Sequence, residues 1–169
     1  MPFLHGLRLW LDLRRIQPDR IHIRFAGLGF AEAQRAAQAL GIESIVSFDP
    51  RVPRETALQL MGQQWVLLLL ANGQPLQIPG KAYEYLATGR RVLAVTERAG
   101  ATADFLEGVP GCAVAESPEE IASALDRFWS EFTSRGAGRF DRHALFAQGT
   151  HEHRASAFAG LLREIRSFR

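Results

Sequence analysis

The residues best suited to chemistry lie in one short stretch. Positions 71–80 read ANGQPLQIPG, and a helix-forming run follows that carries Lys81 and Glu84. A spacing of three puts both side chains on the same face of a helix. The glycines and prolines allow a ligand close to the backbone, and the start of the helix turns its N–H groups outward, a setting that favours a phosphate. Lys81 in the first turn opposes the helix dipole by a few tenths of a kcal/mol, a placement that makes sense where an anion docks nearby. Glu84 reaches the same cleft, where a carboxylate can accept bonds from two ribose hydroxyls. The plainer reading is an exposed lysine and a solvated glutamate. Composition singles out the same stretch. Lys81 is the sole lysine, Asn72 the sole asparagine, and Tyr83 and Tyr85 the sole tyrosines, so side chains that the chain otherwise avoids gather between 72 and 85.

Other candidates carry less. Gly27-Leu28-Gly29 lacks the third glycine of a dinucleotide fingerprint and reads first as a strand-to-helix turn. The loop 96–100 begins at Thr96 and follows a strand, where ligands of open α/β sheets bind. His151 and His153 are two apart, a spacing that does not share a helical face, so they read as solvated histidines. His5, His22 and His143 are isolated. Arg154, Arg163, Arg166 and Arg169 make a basic face on the last helix, solvated by default, with peripheral contact to an anionic membrane as the other reading.

The elements that must position these residues follow from periodicity. Helical spacing marks 2–16, 31–40, 54–61, 81–88, 101–107 and a segment from Pro118 to about 132, with further helices at 143–148 and 152–168. Ser117-Pro118-Glu119-Glu120 opens the sixth of these with an N-cap, a first-turn proline and a capping-box glutamate. Strands are expected at 21–26, 44–48, 65–70, 91–95 and 112–115, and the unbroken apolar run near 65–70 is that of a strand covered on both faces. Helix and strand alternate at βαβ spacing, so the expected fold is α/β, a Rossmann-like doubly wound parallel sheet. Such a domain normally opens on its central strand, whereas this chain opens on a helix, so the first strand is expected to be missing.

Composition bounds the rest. A length of 169 residues fits a single domain spanning 1–169, with 140–169 as a C-terminal helical segment. Twenty basic and 18 acidic residues leave a net charge of +2, too weak to argue for nucleic acid. One cysteine, Cys112, excludes a disulfide framework and a cysteine-cluster zinc site, and fits a reduced cytoplasmic setting. The longest apolar run, 66–71, is far short of the ~20 residues of a spanning helix, and the N-terminus lacks a signal-peptide pattern.

The stretch IPGKAYEYLATGRRVLAV resembles the C-terminal half of glycosyltransferases of the GT-B fold, especially bacterial members of the group 1 (family 4) class. The resemblance extends upstream through GFAEAQRAAQALGIESIVSFDPRVPRETALQLM and downstream through ADFLEGVPGCAVAESPEEIASAL. It implies that Glu84 binds the ribose of a nucleotide-sugar donor. The loop from Gly73 to Gly80 and the amides before Lys81 would line the diphosphate, residues 50–53 would lie near the base, and Thr96 with its loop would face the sugar or the domain cleft. Three positions depart from the family pattern. Leu76 stands where many members carry a second glutamate, Arg91 replaces a proline, and Asp49-Pro50-Arg51-Val52 takes the place of a G-x-V turn.

What the resemblance implies is a donor-binding domain for hexosyl transfer to an acceptor hydroxyl. Its co-substrate would be a nucleotide diphosphate-sugar, with no other cofactor, no metal and no nucleic acid. The partner would be a separate N-terminal acceptor domain or a second copy, and the location the cytoplasm or the inner face of the membrane. The family's acceptor half has no counterpart in this sequence, so the chain alone is expected to lack transferase activity. The alternatives are a non-catalytic fragment or subunit of a split glycosyltransferase, and a generic α/β nucleotide-binding module.

Overall fold

A computed structural model describes residues 1–136 and 138–142. The helices expected at 143–148 and 152–168, the histidines at 143, 151 and 153, and the basic face at 154–169 lie outside the described residues.

The chain alternates helices and strands in the order α1 (Pro2–Arg14), β1 (Ile23–Ala26), α2 (Ala31–Ala39), β2 (Val46–Asp49), α3 (Arg54–Gln63), β3 (Val66–Leu70), α4 (Gly80–Ala87), β4 (Arg91–Val95), α5 (Ala101–Leu106), β5 (Cys112–Ala115) and α6 (Pro118–Arg135). Every strand pairing is parallel. This is the α/β class that the sequence anticipates. The strands, however, form two sheets, β1-β2 and β3-β4-β5, rather than a single one. The second strand also starts two residues later than its apolar run suggests. Glu43–Ile45 winds into a 3-10 turn first, because Gly41 reverses the chain after α2 and the Ile42 amide bonds back to Ala37 at 3.0 Å.

Burial explains the layers. Along β4 every residue is buried, as expected of the central strand of three. Leu93 and Val95 join the main core with Phe3, Leu4 and Leu7 of α1 and Ile121 and Phe128 of α6. Val92 and Ala94 point the other way, into a second core with Leu69, Ala82, Leu86 and Leu106. The two cores are the two faces of one sheet, each covered by helices. The main core continues under β1 and β2, where Phe25 stacks on Phe48 at 5.3 Å and meets Phe3 edge-on at 6.3 Å.

Helix α1 is held against α6 by close packing and by a charged clasp. Gly6 lies directly on Ile121, Trp10 meets Trp129 edge-on at 5.8 Å, and the Arg14 guanidinium forks onto Asp126, with Nη2 at 2.8 Å from Oδ2. That pairing holds the Asp126 carboxyl below its usual range. Arg91, where the resembled family has proline, is buried. Its guanidinium lies 5.2 Å from the Trp65 ring and 5.2 Å from the Phe140 ring and donates to Glu131 at 2.9 Å. Phe140 can lie flat across the end of β5 because Gly111 has no side chain: a Cβ there would sit 2.3 Å from the Phe140 ring. Burial pushes the Cys112 thiol up to about 11, so it is protonated at neutral pH and is no nucleophile.

Candidate functional site

A cavity of about 940 Å³ opens where the carboxyl ends of the strands meet the helices that follow them. Its mouth is built from Gly27 after β1, Arg51 and Arg54 after β2, and Pro79, Lys81 and Glu84 at the start of α4. The local sequence dictates this placement. Pro79 caps α4 with an extended φ/ψ, so the chain enters the helix abruptly at Gly80. Among the described residues no side chain caps this end, and a Cβ on Gly80 would meet nothing within 4 Å. The first N–H groups of α4 therefore face open space, at the positive end of the helix dipole.

Glu84 sits at the centre of this mouth, with its side chain 22% exposed. Lys81 Nζ is 2.5 Å from Oε2, and Arg54 Nη1 is 3.0 Å from Oε1. The hydrogen bond from Lys81 is the main reason that the Glu84 carboxyl stays below the usual range. The Lys81 charge and Arg54 add to it, and partial burial opposes them. The carboxylate is therefore ionised at neutral pH. Burial, followed by the Glu84 charge, pushes the neighbouring Tyr85 phenol up, so Tyr85 stays neutral.

Charge balance makes the mouth anion-seeking. Arg51, Arg54 and Lys81 line it against one carboxylate, Glu84, while Arg24, also on the cavity wall, is paired with Asp49. Lys81 and Arg54 each sit in the first turn of a helix, where a cation is disfavoured by the dipole. Glu84 offsets that penalty for both.

The residues expected from sequence thus divide into two groups. Lys81 and Glu84 line the cavity, with Arg51 and Val52 of the 50–53 segment also on its wall, while Gly80 opens α4 between Pro79 and Lys81 without itself lining it. Gly73 and Thr96 gather instead around Glu97. The Gly73 amide donates to Glu97 Oε1 at 2.7 Å, and the Thr96 hydroxyl lies 3.3 Å from Oε2. These bonds, the Gly73 amide foremost, hold the Glu97 carboxyl below its usual range. Thr96 is only 1% exposed, so its hydroxyl is committed to this internal network, and neither Gly73 nor Thr96 lines the cavity. Gly73 has φ 79°, a left-handed conformation that lets its N–H turn toward Glu97. The 73–80 loop is further pinned to α5 through Ala101 N–H to the Pro75 carbonyl at 2.7 Å and the Thr102 hydroxyl to the Gln77 carbonyl at 2.9 Å.

Sequence reasoning missed Arg54. Its signal is the one that drew attention to Lys81, a cation in the first turn of a helix, but its meeting with Glu84 is made by tertiary structure. Among the described residues no group of three or more His, Cys, Asp or Glu side chains gathers as a metal site would require, and no helix is long and apolar enough to cross a membrane. No family model and no curated protein matches this chain.

Proposed function

We propose that the chain binds the nucleoside diphosphate of a nucleotide-sugar donor at the start of α4, as the donor-binding unit of a glycosyltransferase built on half of a doubly wound GT-B fold. The observation that carries this reading is the position of Glu84: half-sheltered, on the wall of the main cavity, between two cations and beside an uncapped helix start. A diphosphate would draw Lys81 and Arg54 to its oxygens and accept bonds from the amides of Gly80 and Lys81. Glu84, released from both cations, would accept bonds from the ribose hydroxyls. In glycosyl transfer the same cations and amides stabilise the charge that develops on the leaving diphosphate. The acceptor hydroxyl has to be presented by a second wall facing this one.

Calorimetric titration with uridine or guanosine diphosphate tests the reading. Binding is expected, and Glu84→Gln is expected to weaken it by about tenfold, because an ionised acceptor becomes a neutral amide. No binding of either nucleotide, or equal affinity for the variant, overturns the assignment.

Leu76 favours a second reading, a nucleotide-binding module without transfer. It is 91% exposed and offers a hexose no carboxylate. That reading predicts the same affinity for a nucleoside diphosphate and its sugar conjugate, whereas donor binding predicts tighter binding of the conjugate.

A further inference from the structure

Asn72 is singled out by the sequence and left unused by the candidate site. It is the sole asparagine of the chain, it is exposed, and Gly73 follows it in the turn after β3. Among the described residues no hydrogen bond holds its side chain. An Asn-Gly step is chemically labile, because a glycine has no Cβ to hinder attack by its own amide nitrogen on the side-chain carbonyl of the asparagine before it.

The atoms of that reaction balance with water as the co-reactant. The Gly73 nitrogen gives its proton to solvent hydroxide and forms a bond to Asn72 Cγ. The bond from Cγ to Nδ2 breaks, and the side-chain nitrogen takes a proton and leaves as ammonia. The product is a cyclic imide. Water then opens the ring at either carbonyl, which yields aspartate or isoaspartate at position 72.

The fold acts on the first step through Glu97. The Gly73 amide donates to Glu97 Oε1 at 2.7 Å, with Gly73 held at φ 79°. Attack requires the nitrogen to give up the proton that makes this bond and to turn toward the Asn72 side chain. A nitrogen anion would also lie against a carboxylate, and like charges at that distance disfavour it. Glu97 is itself fixed, since the Thr96 hydroxyl lies 3.3 Å from Oε2 and 3.5 Å from the Ala71 carbonyl. Downstream, the Ala101 amide holds the Pro75 carbonyl at 2.7 Å, so the turn is tied on both sides. The Gly73 amide is the main reason that the Glu97 carboxyl stays below its usual range. Glu97 is therefore ionised at neutral and alkaline pH, where a hydroxide-driven step is fastest.

We propose that Asn72 is a site of spontaneous conversion to aspartate and isoaspartate, and that the Gly73–Glu97 hydrogen bond is the latch that restrains it. The reaction runs only while the latch is open. Loss of ammonia to dilute solution is irreversible, so the converted fraction records how often the turn opens. Isoaspartate also inserts a carbon into the backbone between β3 and the 73–80 loop, which moves Gly73 relative to Glu97. Neither Asn72 nor Glu97 lines the cavity, and the proposal is independent of the nucleotide-sugar reading.

The test incubates the full chain at mildly alkaline pH and follows position 72 by peptide mapping, with fragmentation that separates aspartate from isoaspartate. The sequence makes the readout clean, since it has no second asparagine and no Asp-Gly step. The parent chain should convert about tenfold or more slowly than a free peptide of residues 70–75, because the bond to a charged acceptor must first be broken. Glu97→Ala should raise the rate in the full chain by about tenfold or more, and Glu97→Gln, which keeps a neutral acceptor, should fall between the two. Thr96→Val loosens the same turn but leaves Glu97 in place, and should convert at nearly the parent rate. A parent chain as fast as the peptide overturns the proposal, as does a Glu97→Ala chain no faster than the parent. A Thr96→Val chain as fast as Glu97→Ala also overturns it, because general loosening rather than the latch would then set the rate.

Discussion

Replacing Arg142 by methionine is expected to destabilise the protein by about 3 kcal/mol, the sum of two buried carbonyls left without a donor. Arg142 is 4% exposed and serves as a polar plug between elements distant in sequence. Its Nε and Nη2 donate to the Pro110 carbonyl at 3.1 and 2.6 Å, and its Nη1 donates to the carbonyls of Arg90 at 2.9 Å and Leu86 at 3.3 Å. The Leu86 carbonyl also accepts from the Gly89 amide, so the main loss falls on Pro110 and Arg90. Burial pulls the guanidinium below its ordinary value but does not neutralise it. Methionine keeps much of the volume and removes every donor. Lysine keeps the charge but cannot reproduce the fork, so Arg142→Lys should recover only a minor part. Thermal unfolding checks both: about 3 kcal/mol corresponds to a fall in Tm of about 6–12 °C for a domain of this size. A fall of under about 2 °C for the methionine variant would show that the carbonyls find other donors.

Gly6→Val should cost a similar amount, about 3 kcal/mol, for a steric reason. A Cβ at this position would lie 2.6 Å from Cβ and Cγ2 of Ile121 and 2.7 Å from the Pro118 carbonyl oxygen. An alanine in mid-helix would ordinarily add about 1 kcal/mol over glycine. Here even Gly6→Ala is expected to destabilise, because α1 must move off α6. Trimming Ile121 to alanine in the same chain removes the Cγ2 contact but leaves the Cβ of residue 121 and the Pro118 carbonyl oxygen in place, so the double variant should recover only a minor part of the loss. The midpoint of urea unfolding measures all three variants. A Gly6→Ala protein as stable as the parent would show that the two helices are not packed this closely.

The sequence is most informative where local chemistry alone decides. The apolar run at 65–70 is found as β3 and the strand expected at 91–95 as β4, although β3 is not covered on both faces as expected: Leu67 and Leu69 are buried and Leu70 is exposed. Ser117 caps α6 as its spacing predicts, accepting from the Glu120 amide at 3.3 Å. The reciprocal arm differs: the Glu120 side chain accepts from the Glu116 amide at 2.8 Å, one residue before the cap, and also receives Arg98. The division into two sheets could not be read from periodicity, which registers strands but not which edges meet. Arg91 illustrates the same limit. A cation in a strand pattern suggests an exposed position, yet two aromatic rings and Glu131, from separate parts of the chain, make a buried one tolerable. At the candidate site, Lys81 and Glu84 were legible because helical spacing joins them. Arg54 was not, because 30 residues separate it from Glu84. Thr96 and Gly73 stand out in the sequence for their place on loops after strands, and neither local sequence shows that Glu97 takes up their donors.

The central claim is that the start of α4 receives a diphosphate. Amide chemical shifts recorded while uridine or guanosine diphosphate is titrated into the chain test it most directly. The account predicts that the Gly80 and Lys81 amides move farthest and saturate together with the Glu84 side chain. The Ala82 amide, bonded to the Pro79 carbonyl at 2.9 Å, should follow only weakly. Resonances of Gly80 and Lys81 that stay in place at saturating nucleotide would contradict it.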